Sequence, residues 1–172
     1  MILPEWKRIA GIQVQGDGCI GCVWAAIDPD TDTIHLYDAC VYRREVLAVI
    51  GEGLNARGRW IPVVWSDKDM ADKLLEYGCN MIPEEYKETD ASAEVISRDV
   101  WERMRSGRFK VDKRLGEWLE EYKTFNREGQ KVPKDTHPLM TATRFIVGMR
   151  SYARRQGPKR GVTVNFPKVA IL

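Results

Sequence analysis

Histidine is nearly missing from this chain: its 172 residues contain two, His35 and His137. Cysteine is sparse as well, with Cys19, Cys22, Cys40 and Cys79, of which only the first two make a C-x-x-C pair. A structural zinc site needs a second close pair or a nearby histidine, so these cysteines are expected to be structural thiols in strands, with zinc or redox chemistry as the alternative. Long apolar runs are absent too. Stretches such as Ile61 to Trp65 fall far short of the roughly 20 residues that cross a bilayer, which excludes a spanning helix. The opening MILPEWKRIAG carries charge where a secretory signal needs its apolar stretch, so export is not expected and the thiols should stay reduced. No G-x-x-x-x-G-K-[ST] loop occurs, so this chain holds no P-loop motor, and there is no internal repeat.

What is present is the composition of an ordinary globule, 44% hydrophobic and 30% charged. The length suits one domain, expected over residues 1–156, followed by a basic tail over 157–172. The net charge of +2 conceals an asymmetry: the last acidic residue is Asp135, and residues 136–172 carry +7, leaving −5 for residues 1–135. Such an end suits phosphates or an acidic partner surface, with Arg150, Arg154, Arg155, Lys159 and Arg160 as candidate DNA- or partner-binding residues; a solvated end is the other reading.

KRIAGIQVQ, CIGCVWAAID and TIHLYDACV read as three strands rich in β-branched and aromatic residues, joined by the turn chemistry of GDG and DPDTD. A helix follows over 42–58, where Val46, Leu47, Ile50 and Leu54 recur at helical spacing and Gly58 supplies a stop. RWIPVVWSD is expected as a buried strand parallel to a neighbour, MADKLLEYG as a second helix and CNMIP as a brief strand. Ala93, Ile96, Val100 and Met104 mark a helix over 93–105, and GRFKV a short strand. Asp112 is placed to cap a helix whose stripe is Leu115, Trp118, Leu119 and Tyr122. The last helix starts near His137, tolerates Pro138 in its first turn and runs through Leu139, Ala142, Ile146, Met149 and Ala153. Three antiparallel strands, then alternating helices and strands, then a terminal helix predict an α/β, RNase H-like fold with a mixed central sheet flanked by helices.

From residue 96 onward the sequence closely resembles the C-terminal nuclease domain of tailed-bacteriophage terminase large subunits, above all in RMRSGRFKV, WLEEYKTFNREGQKV and LMTATRF. AGIQVQGDGCIGCVWAAIDPDTDTIHLYD and RGRWIPVVW are similar to that domain's first half, so the resemblance covers most of residues 6–155. It implies a domain that cuts concatemeric DNA during genome packaging in the host cytoplasm, using carboxylates that gather divalent metals to activate a water and stabilise the phosphate in flight.

Those acids come from the first strand, the end of the strand after the first long helix, and the start of the last helix, and this sequence departs from the pattern at each. Gly-Ile-Asp becomes Gly11, Ile12, Gln13. Trp-Pro-His-Asp-Gly becomes Trp65, Ser66, Asp67, Lys68, Asp69, with lysine in the acid's place. Asp-Asp-Leu-Met-Ser-Ala-Thr-Arg-Tyr begins here with His137 and Pro138. The expectation is a domain that keeps the fold without the nuclease centre, needs no cofactor, and binds double-stranded DNA, a motor subunit or the portal. The competing reading is a relocated Mg or Mn site built from Asp17, Asp67, Asp69 and Asp135, with His137 as ligand or base. Asp67 and Asp69 otherwise read as helix-capping and solvating residues, Lys68 as an internal cation replacing the metal charge, Arg144 as structural, and Trp65, Trp101 and Trp118 as core or groove wall.

Overall fold

Alternating side chains and tight turns turn the first forty residues into a meander. In the computed structural model, which describes residues 1–125, 132–133 and 135–158, β1 (Lys7–Val14), β2 (Ile20–Asp28) and β3 (Thr33–Tyr42) pair antiparallel. At the first turn Gly18 adopts φ +86, a conformation open to glycine, while the Asp17 carboxylate accepts the Cys19 amide at 2.8 Å. β4 (Val63–Val64) lies parallel to β1 and β5 (Phe109–Val111) parallel to β3, giving the sheet order β4-β1-β2-β3-β5.

The two faces of the sheet are buried separately. Ala10, Ile12, Cys22 and Trp24 meet α1 (Leu47–Ala56) and α2 (Lys68–Glu76) through Ile50, Leu54, Ala71 and Leu74. On the opposite face Ile9, Val23, Ala25 and Ile27 pack under α4 (Gly116–Thr124) and α5 (Pro138–Gly148), with α3 (Asp90–Arg105) laid against them through Ile96, Val100 and Met104. The predicted fold class, an α/β mixed sheet flanked by helices, is the one observed.

Several element bounds differ from expectation for local reasons. The segment 59–67 contributes only Val63 and Val64 to the sheet: Pro62 has no N–H to give, and its carbonyl accepts from Ala10 instead. CNMIP makes a single bridge, Met81 to Val63. The 42–58 helix begins only at Leu47, because Tyr42 still belongs to β3. α3 starts three residues before Ala93, where Thr89 and Ser92 cap it reciprocally. Asp112 does not cap α4; its carboxylate takes the Arg114 amide and guanidinium, and Leu115 stands at the N-cap position. α5 ends at Gly148, and a 3-10 turn over Arg150–Tyr152 carries the chain on to Ala153, which still packs in the core. No helix of the described residues is long and apolar enough to cross a membrane.

α5 is buried from Pro138 to Val147. It approaches the sheet closely because β1 and β2 offer glycines beneath it: a Cβ on Gly11 would lie 2.8 Å from the Ala142 carbonyl oxygen, and one on Gly21 would lie 2.7 Å from Pro138. Arg144 is carried into this buried helix at 3% exposure, where it donates to both carboxylate oxygens of Glu88 at 3.0 and 2.9 Å. The structural part expected for Arg144 thus has a specific partner.

Candidate functional site

The fold sets the first-strand position beside the mouth of α5, and β4 runs parallel to β1 toward the same end of the sheet. β1 alternates so that Ile9 and Gly11 face α5 while Ala10 and Ile12 face α1, which puts Gln13 on the α5 side. Gln13 pairs in register with Gly21, the residue on which the Pro138 ring rests. Gln13 and the mouth of α5 are therefore neighbours across one register row, as the geometry of a strand-plus-helix site demands. β4, parallel to β1, delivers Trp65, Ser66 and Asp67 beyond its end.

The chemistry at these positions is not that of a cation site. Gln13 contributes a neutral amide and the Pro138 side chain no ligand atom. His137, the N-cap residue of α5, makes no side-chain cap; its Nδ1 lies 2.7 Å from the Thr136 hydroxyl and its Nε2 3.2 Å from that of Thr124, and Phe125 meets the ring edge-on. Both ring nitrogens are thus engaged by hydroxyls. Mg²⁺ and Mn²⁺ favour several oxygen ligands, so this donor set does not fit the metal. Among the described residues no group of three or more His, Cys, Asp or Glu could hold a metal ion.

The relocated candidates fall into two separate places. Asp135 anchors on the β1–β2 turn, its carboxylate accepting the Gly16 amide at 3.2 Å and its carbonyl accepting Gln15 Nε2 at 3.1 Å, close in sequence to Asp17. Asp67 caps α2 by accepting the Met70 amide at 2.8 Å, and Asp69 pairs with Lys73 at 2.7 Å. Lys68 is not the internal cation expected of it. Its side chain is 73% exposed and bonded to Asp72, because position 68 is the first residue of α2 and points to solvent.

One residue of this region escaped sequence reasoning. Glu121, from α4, accepts the Leu139 and Met140 amides at 2.9 and 3.0 Å, so a carboxylate from another helix satisfies the first-turn donors of α5 that His137 leaves unpaired. Burial pushes its carboxyl up to about 7 against the opposing pull of those two bonds, with Glu117 adding to the rise. The only available signal was its place in WLEEYKTF, where Glu121 reads as a solvent-facing residue of an amphipathic helix.

The basic candidates lie at the other end of α5. Arg154 is tied to the start of β1 by paired backbone bonds with Arg8, and Arg150 donates to the Val147 carbonyl at 2.8 Å and lies 3.9 Å from Asp99. Arg154 and Arg155 are exposed; Lys159 and Arg160, with most of the tail expected over 157–172, lie outside the described residues. About 16 Å of helix separates the two surfaces. Among the aromatics, Trp118 is core, Trp65 is held by a 2.7 Å bond to the Ile82 carbonyl, and Trp101 is 53% exposed on a groove of about 750 Å³ between α3 and α4, with Arg105 over its ring.

No protein-family model matches the sequence, and no curated protein matches it. Solved structures do. The nuclease domain of the P22 large terminase superposes with a TM-score of 0.81 at 19% identity, over 90% of this chain and 87% of that one. The large terminase of a thermophilic bacteriophage, in complex with ADP, gives 0.68 at 13% identity, over 88% of this chain and 41% of that one. The large-terminase nuclease domain of bacteriophage SPP1 with bound Mn gives 0.60 at 18% identity, over 81% and 82%. The sheet order, the buried terminal helix and these superpositions together identify the fold of this chain as that of the terminase large-subunit nuclease domains.

Proposed function

We propose that this chain is a terminase-nuclease-like component of viral genome packaging that binds DNA or a packaging partner and does not itself cut DNA. The observation that carries this reading is the arrangement at the mouth of α5. The Pro138 ring rests on Gly21 in the register row of Gln13, and the α5 amides are taken by Glu121. Two-metal chemistry needs converging carboxylates, and the side chains of Gln13 and Pro138 supply none, which supports this reading. The domain then acts through surfaces: Arg150, Arg154 and Arg155, continued by Lys159 and Arg160, offer cations to phosphate or to an acidic face of a motor subunit or the portal, within the host cytoplasm.

Binding through such residues is to backbone phosphates, so it is independent of sequence and weakens steeply with salt. A fluorescence-anisotropy titration of duplex DNA across a severalfold range of salt tests it. The expected outcome is a log–log slope that falls when Arg150, Arg154 and Arg155 are replaced by Ala; affinity that ignores salt contradicts the reading.

The second reading, an endonuclease dependent on Mg²⁺ or Mn²⁺ with displaced acids, is favoured by one observation: the SPP1 neighbour has bound Mn, and the human cytomegalovirus terminase nuclease domain, of the same fold, was Mn-soaked. It requires Asp17 and Asp135 at the β1–β2 turn to act with Asp67 and Asp69 at α2, or with His137. Metal-dependent cutting abolished by Asp67→Ala/Asp69→Ala would establish it.

A further inference from the structure

The C-x-x-C spacing draws attention to Cys19 and Cys22, but the strands give Cys22 a different neighbour. Cys22 and Cys40 are register partners on β2 and β3, whereas Cys19 precedes β2 in the turn. Directly opposed residues on antiparallel strands carry Cβ atoms about 4.5–5.5 Å apart, a small inward movement from the spacing that a disulfide spans. We propose that Cys22 and Cys40 form a peroxide-responsive dithiol in which Cys40 is oxidised first and Cys22 resolves it to a cross-strand disulfide.

The two thiols have complementary surroundings. Cys22 is fully buried, while Cys40 is only partly buried. The neighbouring Cys22 thiol, with Tyr42 and the nearby Arg57 cation, holds the Cys40 thiol below its ordinary value against the opposing effect of burial. Arg57 is fixed there by a 2.6 Å bond to Asp38 and by lying 4.1 Å over the Trp24 ring. Cys40 and burial push Cys22 well up, and burial raises Cys79. Cys19 is raised as well, by desolvation and then by Asp17. Thiolate character with access is what selects a cysteine for peroxide. Cys40 combines the two.

The chemistry balances with a hydroperoxide as oxidant. The Cys40 thiolate attacks one peroxide oxygen, the O–O bond breaks, and the products are Cys40 sulfenic acid and hydroxide or alkoxide. Cys22 sulfur then attacks the Cys40 sulfur; the S–S bond forms, the S–OH bond breaks, and the hydroxide leaves with the Cys22 proton as water. A small thiol reverses the bond by exchange.

The test is hydrogen peroxide treatment of the folded full chain, followed by alkylation and mass mapping under non-reducing conditions. The expected result is loss of two of the four thiols, a mass decrease of two hydrogens, and a Cys22–Cys40 link that persists in Cys19→Ser and disappears with dithiothreitol. In Cys22→Ser, dimedone should trap a sulfenic acid at Cys40. The proposal is overturned if the wild-type chain keeps all four thiols, if the link joins Cys19 to Cys22, or if Cys40→Ser loses the Cys22 thiol as fast as wild type. The mapping on wild-type protein decides the matter even if a variant fails to fold.

Discussion

Glu121 is the residue on which the start of α5 depends. Removing its carboxylate leaves the Leu139 and Met140 amides without an acceptor in a part-buried position. Glu121→Ala should therefore cost about 1–2 kcal/mol in urea unfolding, the range of a lost cap. Its pH dependence has a definite sign. The folded pKa of about 7 lies above the ordinary value of 4.5, so between these values the folded chain binds more protons than the unfolded one, and the contribution of Glu121 to stability declines as pH rises. Thermal melts should show wild type losing more Tm between pH 5 and pH 8 than Glu121→Gln, which cannot ionise; parallel profiles would contradict the assignment. Gln13, Lys68, His137 and Pro138 stand out in the sequence only against the motif it resembles, because a motif reports residue types directly. The role of Glu121 was not, because α4 and α5 meet only in space.

At the scale of elements, α5 is held by two devices that can be probed separately. Gly21→Ala would place a Cβ against Pro138 backbone and ring atoms, which have no flexible end to move aside. Overpacking of this kind should cost about 1–3 kcal/mol and displace the start of the helix, visible as a loss of urea midpoint. The Arg144–Glu88 pair, with both side chains under a tenth exposed, is the second device. Glu88→Leu leaves the guanidinium buried without its counter-charge and should cost about 3–5 kcal/mol, whereas Arg144→Met/Glu88→Leu together should cost less than that single change. Element types followed well from the sequence: the three-strand meander, the helical stripe of Ile96, Val100 and Met104, and Pro138 in the first turn all carry local periodicity. Bounds failed where partners decide them. Pro62, which has no N–H to give, precedes a fourth strand of two residues, and Asp112 found Arg114 closer than a helix amide.

For the whole molecule, charge and chemistry lie at opposite ends of one buried helix. Arg150, Arg154 and Arg155 gather where α5 leaves the core, and Gln13, His137 and Pro138 lie where it enters. If these arginines meet phosphate, replacing all three with Ala should reduce the salt slope of duplex-DNA binding by about three while leaving the melting temperature nearly unchanged. An equal slope would move the binding surface elsewhere. The fold class was legible because its element order is distinctive; the separation of the two surfaces was not, since it depends on the path of α5 across the sheet. The central claim is that the fold persists without its cutting centre. Its most direct test is a supercoiled-plasmid nicking assay with Mn²⁺ and Mg²⁺, run on the purified chain beside Asp67→Ala/Asp69→Ala with the fold of each checked by circular dichroism. Intact plasmid with both proteins is the predicted result. Metal-dependent nicking by the wild-type chain that the variant lacks would contradict it and place a working metal site at the end of β4.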